Sequence, residues 1–352
     1  MGANIDTSNS KNYQIEISHT MPPWEEFLQR HPDATIYHSP LWGDIMQRAY
    51  GNRPIYLTAR RNSQITGILQ LIAQKSLLFG SHLCSLPYFD ASGILAQDEE
   101  STDALIEQAQ QLLDSQRVQW IELRHLQPKG KSLPTRSDKV TMLLPLTPDE
   151  QELWSRFKPK VRNQIRKAQK EDMQVVQGNT EYLDEFYAVY SRNMRDLGSP
   201  PHSRRFFRLI LESFPEQAMI YLVRLNDKSL AAGLSLRDKS ILRVPWAGSD
   251  WQFRSLNPNM LLYWSMLADG CKKNADFFDF GRSTLESGTY RFKKQWGAKE
   301  IPLVWQFLLP EGDSLPELNP ESPRYRYFVS VWKKLPLWTV RWLGPRIIAN
   351  LS

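Results

Sequence analysis

A chain of 352 residues with 41% hydrophobic content and twelve tryptophans holds enough apolar material for two ordinary domains, which excludes a disordered or fibrous class. Its two cysteines, Cys84 and Cys271, form neither a metal-ligand spacing nor a disulfide framework, so a reducing compartment is expected. The net charge of +6 calls for anionic partners.

The opening MGANIDTSNSKNYQ lacks the apolar core of a secretory signal, and Asp6 occupies the Ser/Thr position of a myristoylation motif. WEEFLQRHP and LWGDIMQRAYG then read as helices. RPIYLTARRNSQITGILQLIA reads as a hairpin turning over Arg61 to Ser63, residue types that tolerate tight-turn dihedrals. A long helix, ESTDALIEQAQQLLDSQRV, and a strand, WIELRHL, follow. HLQPKGKSLPTRSDK, residues 125–139, is a linker or long loop by its proline and charge. Beyond it the same order recurs. Helices YLDEFYAVYSRNMRDLG and SRRFFRLILESF precede a hairpin, AMIYLVRLNDKSLAAGLSLR, that turns at Asn226-Asp227. The strand ILRVPWAGS, the helix PNMLLYWSMLADGCKKN and the strand DFFDFGRS close the set. The repeated order predicts a mixed α/β fold with a duplicated unit, over residues 13–139 and 140–310. The alternative is a chance match, because such orders are common. An acidic, proline-rich connector, PEGDSLPELNPESP, leads into a basic aromatic tail; the two segments make up residues 311–352 apart from the connector's first proline. The tail is expected to be broken into short helical pieces by Pro336 and Pro345. No run of about eighteen apolar residues is present, so no spanning helix is expected and the chain reads as cytoplasmic.

Positive charge gathers in two places. KPKVRNQIRKAQK, from Lys158 to Lys170, carries six cations and no acid, and so does the tail from Arg324 to Arg346. After Pro159 the first segment reads as a helix. Arg162, Arg166 and Lys170 then form one cationic ridge, while Val161, Ile165 and Ala168 face a core. Such a ridge suits phosphates, with Lys158 and Lys160 beside it; a solvated face is the plainer alternative.

A second constellation ends the strand DFFDFGRS. Asp279, among aromatic residues, is costly to bury unpaired, so it needs a strand end, a cation such as Arg282, or a chemical role. Gly281 lets a backbone or ligand approach closely. In SGTYRFKKQWG, which contains Tyr290, Lys293 lies on a helix flanked by Phe292 and Trp296. A lysine there can meet a phosphate or a developing oxyanion. Otherwise Lys293 and Lys294 are surface, with Phe292 and Trp296 in the core. A third candidate is AGSDWQFRSLNPNM. It offers Gly248 and Ser249 at a strand end, then Asn257 as an N-cap before Pro258, with the amides of Asn259 and Met260 free for an anion. P-loop, GxGxxG, GxSxG and HExxH motifs are all missing, and His31, His38, His82 and His125 are scattered. Metal catalysis is therefore disfavoured.

KPKVRNQIRKAQK followed by FDFGRSTLESGTYRFKKQWGA resembles the FemAB branch of the GNAT acyltransferase superfamily. ELRH, LGSPPHSRRFF and NPESPRYRYFVSVWKKLPLWTVRWLGP extend the likeness over nearly the whole chain. They narrow it to the type associated with exosortase (PEP-CTERM) exopolysaccharide systems. The resemblance implies two tandem GNAT-like domains, the first often catalytically degenerate, with the acceptor between them. It implies transfer of an acyl or aminoacyl group to an amine, with Lys293 at the active site beside Phe292. It also makes the helix around Arg162 and Arg166 a seat for an anionic acceptor or a tRNA. The spaced glycines of a typical coenzyme A loop are replaced by AGSDWQFRSLNPNM, so acyl-CoA and aminoacyl-tRNA both stand as donors, with no metal.

The expectation is an N-acyltransferase at the inner face of the cytoplasmic membrane. Its acceptor would be an amine on a polyprenyl-diphosphate-linked saccharide, held through Lys158, Lys160, Arg162, Arg166, Arg282, Phe292 and Lys294. Lys293 would stabilise the acyl oxygen, with Asp279 and Tyr290 as further catalytic groups. Gly248, Ser249, Asn257, Asn259 and Met260 would face the donor. The tail, over residues 324–348, would lie on anionic lipid; its alternative is a clasp across both halves. A nucleic-acid-binding protein using the basic helix and a non-catalytic scaffold of polysaccharide assembly are the rival classes. The first requires steep salt dependence that weakens when Arg162 and Arg166 are changed.

Overall fold

The computed structural model describes residues 13–76, 80–316 and 323–351. The start of the opening read as carrying no signal, residues 317–322 of the acidic connector and the side chain of Arg324 lie outside the described residues.

The first half runs β1 (Tyr13–Ser18), α1 (Glu25–Arg30), α2 (Leu41–Tyr50), β2 (Pro54–Arg61), β3 (Gln64–Ser76), β4 (Gly80–Cys84), β5 (Leu95–Ala96), α3 (Glu99–Gln116), β6 (Ile121–His125) and β7 (Thr135–Arg136). The second opens with β8 (Lys139–Pro145), α4 (Glu150–Arg156), α5 (Pro159–Lys170), β9 (Met173–Gly178), α6 (Leu183–Leu197) and α7 (Arg204–Ser213). It continues through β10 (Ala218–Leu225), β11 (Lys228–Asp238), β12 (Ile241–Ser249), α8 (Pro258–Lys272), β13 (Phe277–Thr284), α9 (Gly288–Lys294), β14 (Lys299–Pro302) and β15 (Val304–Leu308). The tail forms α10 (Pro323–Trp332) and α11 (Leu337–Ile348).

Local chemistry explains the expected elements. Asn62 and Ser63, at φ 49° and 68°, turn the first hairpin, and Asn226 at φ 53° begins the turn of the second. Asp98 accepts from the Ser101 amide to start α3, and Ser203 accepts from the Phe206 amide to start α7. On α5, Val161, Ile165 and Ala168 are buried, Lys160, Arg166, Lys167 and Lys170 are exposed, and Arg162 is half-buried.

Duplication is visible in the sheets. One has the order β1-β2-β3-β4-β6-β15-β7, with β5 beside β3; the other has the order β9-β10-β11-β12-β13-β8-β14. Position by position these are the same sheet. In each, a hairpin is followed by a third antiparallel strand, a crossover helix (α3 or α8) and one parallel partner (β6 or β13). One strand crosses between the halves: β15, late in the chain, completes the first sheet, while β8, which opens the second half, fills the matching place in the second. Residues 304–308, read from sequence with the second unit, thus pair in the first sheet.

One apolar cluster joins the halves. Trp42 meets Phe214 with ring centroids 4.9 Å apart, and Phe89 meets Trp246 at 5.6 Å. The tail clasps this joint. Trp332 Nε1 donates to Ser199 O at 3.1 Å, and Gly344 lies so close to Pro201 that a Cβ would sit 2.4 Å from its ring. The end of α11 is held by the first half, where Asn52 donates to Ala349 O and Tyr88 OH to Ile348 O, at 3.0 and 2.8 Å. Contrary to expectation, α11 runs through Pro345. Packing on both halves outweighs the one backbone bond that proline removes. Among the described residues no helix is long and apolar enough to cross a membrane.

Candidate active site

Each sheet opens at its parallel pair. β12 and β13 stay together only from Ile241↔Phe277 to Arg243↔Asp279 and then part. Pro245 has no N–H to give, and a bulge between Asp279 and Arg282, with Gly281 at φ 74°, turns β13 aside. In the first half, β4 and β6 pair only at Leu83↔Ile121 and Cys84↔Glu122.

The two notches differ in what fills them. The first is stopped by its own chain: Ser85 N donates to Glu122 O at 2.9 Å, and Ser92 N and Gly93 N donate to Arg124 O at 3.0 and 2.7 Å. The second is open. Val244, Pro245, Phe280 and Gly281 line a cavity of about 170 Å³ together with Tyr37, Tyr88, Phe89 and Asp90 of the first half. Among the described residues the second notch is therefore the one with room for a ligand between its parallel strands, and the loop that stops the first notch forms the far wall.

Charged groups concentrate in this cavity. Asp279, Asp90, Arg243, Arg282 and Lys293 line it, two acids against three cations. Lys293 comes from α9, is 8% exposed, and donates to Gly281 O and Arg282 O at 2.8 Å each. An ammonium has three donors, so one N–H remains without a protein partner among the described residues. Burial lowers its pKa to about 8, opposed by the Asp279 and Asp90 carboxylates. It is charged at neutral pH and has little water around it, which suits a group meant to meet a developing oxyanion.

Asp279 is committed to the scaffold. Its Oδ1 accepts from Thr141 Oγ1 at 2.7 Å and Gly281 N at 2.8 Å, and its Oδ2 from Arg243 Nη1 at 2.8 Å. The expected partner, Arg282, pairs elsewhere, with Nε 3.4 Å from Asp90 Oδ1 and the guanidinium 5.0 Å from the Trp305 ring centroid. The bulge at Gly281 carries Arg282 away from Asp279 and across to the first half.

Other sequence candidates lie apart from the cavity. Tyr290 is buried and donates to Glu300, and Lys294 donates to the Tyr290 hydroxyl at 2.6 Å. Phe292 packs on the core, 5.1 Å from the Tyr263 ring, and Trp296 is buried there. Lys158, Lys160 and Arg166 are exposed on or beside α5 and Arg162 is half-buried; none lines the cavity. The groove at Gly248 admits Asn193, whose Cγ would lie 2.6 Å from a Cβ there. Ser249 ends β12 and Asn257 precedes α8 in the left-handed region at φ 57°, with no side-chain cap. The Met260 amide bonds Asn257 O at 3.0 Å, so the expected row of free amides shrinks, because a short 3-10 turn runs directly into α8. Asn259 Oδ1 is buried with no hydrogen-bond partner among the described residues.

Sequence reasoning missed Asp90, Arg243, Tyr37 and Thr141. Arg243 had a signal: a cation inside ILRVPW, like the acid inside FFDFG, must find its opposite, and parallel register sets the two side by side. Asp90 follows an aromatic pair in PYFDASG, much as Asp279 follows Phe277 and Phe278. Among the described residues no cluster of three or more His, Cys, Asp or Glu could hold a metal.

Comparisons with known proteins bear on the fold. Residues 155–294 match the model of the acetyltransferase (GNAT) domain. No curated protein matches the chain. Among solved structures the fold is similar to FemX, with a TM-score of 0.62 and 17% identity over 83% of this chain and 97% of that one. It is also similar to L-PGS from Bacillus licheniformis, with a TM-score of 0.54 and 12% identity over 91% and 100%. A tandem GNAT protein from the clavulanic acid biosynthesis pathway gives a TM-score of 0.51 and 9% identity over 85% and 100%. The chain thus carries a GNAT acetyltransferase domain within a tandem GNAT-like fold, and it is an acyltransferase.

Proposed function

We propose that the protein transfers an acyl or aminoacyl group to an amine on a cell-envelope or exopolysaccharide intermediate, at the cytoplasmic face of the membrane. The observation that carries this reading is the open notch between β12 and β13, with the buried ammonium of Lys293 facing it. Parted strands leave backbone donors and acceptors for an extended acyl donor. Walls from both halves hold donor and amine together, and proximity of this kind supplies much of the rate in a transfer between two bound molecules.

The donor is acyl-CoA or aminoacyl-tRNA. The exposed cations of α5 support an anionic partner, a tRNA or the diphosphate of a polyprenyl-linked saccharide. In the tail, Trp338 and Trp342 are 72% and 59% exposed although α11 buries Val340 and Gly344. Two large exposed rings with six cations and no acid between Arg324 and Arg346 favour an anionic lipid surface. A clasp and a membrane contact use different faces of the same helix.

The test is mass spectrometry of the envelope polymer from the parent organism with and without the gene. One acyl increment that disappears with the gene is expected. Identical polymer masses contradict the reading.

A further inference from the structure

Of the two carboxylates in the cavity, Asp90 is the one whose Oδ1 the scaffold meets with an ion pair alone. Its Oδ1 is buried with no hydrogen-bond partner among the described residues, and the Arg282 Nε at 3.4 Å makes an ion pair without hydrogen-bond geometry. Asp279, by contrast, accepts three bonds. A buried acceptor without a donor is costly, and a site that keeps one has reserved it for a group that arrives.

The loop that carries Asp90 is held in a strained shape. Tyr88 stands at φ 75°, a left-handed conformation uncommon for a bulky residue. Three bonds from separate elements fix it. Arg124 Nη1 donates to Phe89 O at 2.7 Å, Trp305 Nε1 to Asp90 O at 3.4 Å, and the Tyr88 hydroxyl to Ile348 O of the tail at 2.8 Å. Strain maintained this way marks a segment whose position matters. The residue it aims is Asp90.

We infer that Asp90, delivered by the first half, seats the ammonium of the acceptor, so that the cavity selects a primary amine over an alcohol of the same size. This deepens the transfer reading above and rests on it. Elsewhere in the cavity the excess of positive charge repels an ammonium, since Arg243 and Arg282 are permanent cations and Lys293 is a third. Burial also pushes the Asp90 carboxyl up, with Asp279 adding to it and Arg282, Arg124 and Lys293 opposing. A carboxylate so placed gains from one more cation with N–H donors. The inference gives the first half, whose own notch is stopped, a part in the site.

The experiment is binding of n-propylammonium to the full chain by ligand-detected NMR, with 1-propanol as the uncharged control. Wild type and Asp90→Glu are expected to bind the amine in preference to the alcohol. Asp90→Asn and Asp90→Ser should each weaken amine binding at least tenfold and leave alcohol binding unchanged, with near-ultraviolet circular dichroism reporting the fold. Amine binding that survives in either folded variant, or wild type that does not distinguish amine from alcohol, overturns the assignment. The polymer increment is independent of these outcomes, so loss of this inference leaves the transfer reading to its own test.

Discussion

Lys293 and Asp279 differ in how the scaffold satisfies their charge. Lys293 is buried against two carbonyls with a donor to spare, and its charge disappears as pH rises through about 8, where an exposed lysine keeps it to 10.5. If that ammonium stabilises the acyl oxygen, the transfer rate falls as pH is raised through about 8, and a pH–rate profile reads the limb directly. Asp279 fails differently. Asp279→Asn removes one of the two carboxylates paired with the buried Arg243, leaving Asp238 with its Oδ2 3.4 Å from Nη2, and a hydrogen bond to a charged group contributes about 1.5–3 kcal/mol. Chemical denaturation should record a loss of that order. The residue types of the site were legible in FDFGRS and FKKQWG, because a charge among aromatic residues must be explained. Their partners were not, since Asp90 and Arg243 arrive from other strands and the bulge at Gly281 redirects Arg282.

Helices and strands were read well wherever the apolar period and the turn residues agreed, as in α5, α8, β12 and both hairpins. β4, β8, β9, β14 and β15 went unread, because these short strands are defined by partners distant in sequence. The tail shows the same limit. Its sequence allowed a clasp or a lipid contact, and only packing reveals that Val340 and Gly344 turn inward while Trp338 and Trp342 turn out. Changing both exposed tryptophans to serine should keep the melting temperature nearly unchanged, since exposed positions usually shift stability by about 0.5 kcal/mol or less. The same variant should lose binding to vesicles containing anionic phospholipid, measured by co-sedimentation. Retention of full vesicle binding counts against the lipid face.

At the scale of the molecule, a crossing strand and a shared core make the two halves one structure, and four histidines, three buried and one half-buried, tie its stability to pH. His38, His125 and His202 are held down to about 3 and His82 to about 4, chiefly by burial. The unfolded chain takes up these protons near pH 6.5 and the folded chain does not, so stability present above that pH is lost as pH falls from about 6.5 towards 3–4. At pH 5.5 each histidine costs about 1.4 kcal/mol, and melting temperature should drop steeply between pH 7 and 5.

The claim on which the whole account depends is that acyl transfer occurs in the open notch under Lys293. The direct measurement is polymer mass in a gene-deleted strain that expresses either wild type or Lys293→Ala at equal level. Wild type is expected to restore one acyl increment and Lys293→Ala none. An increment restored in full by Lys293→Ala would contradict it.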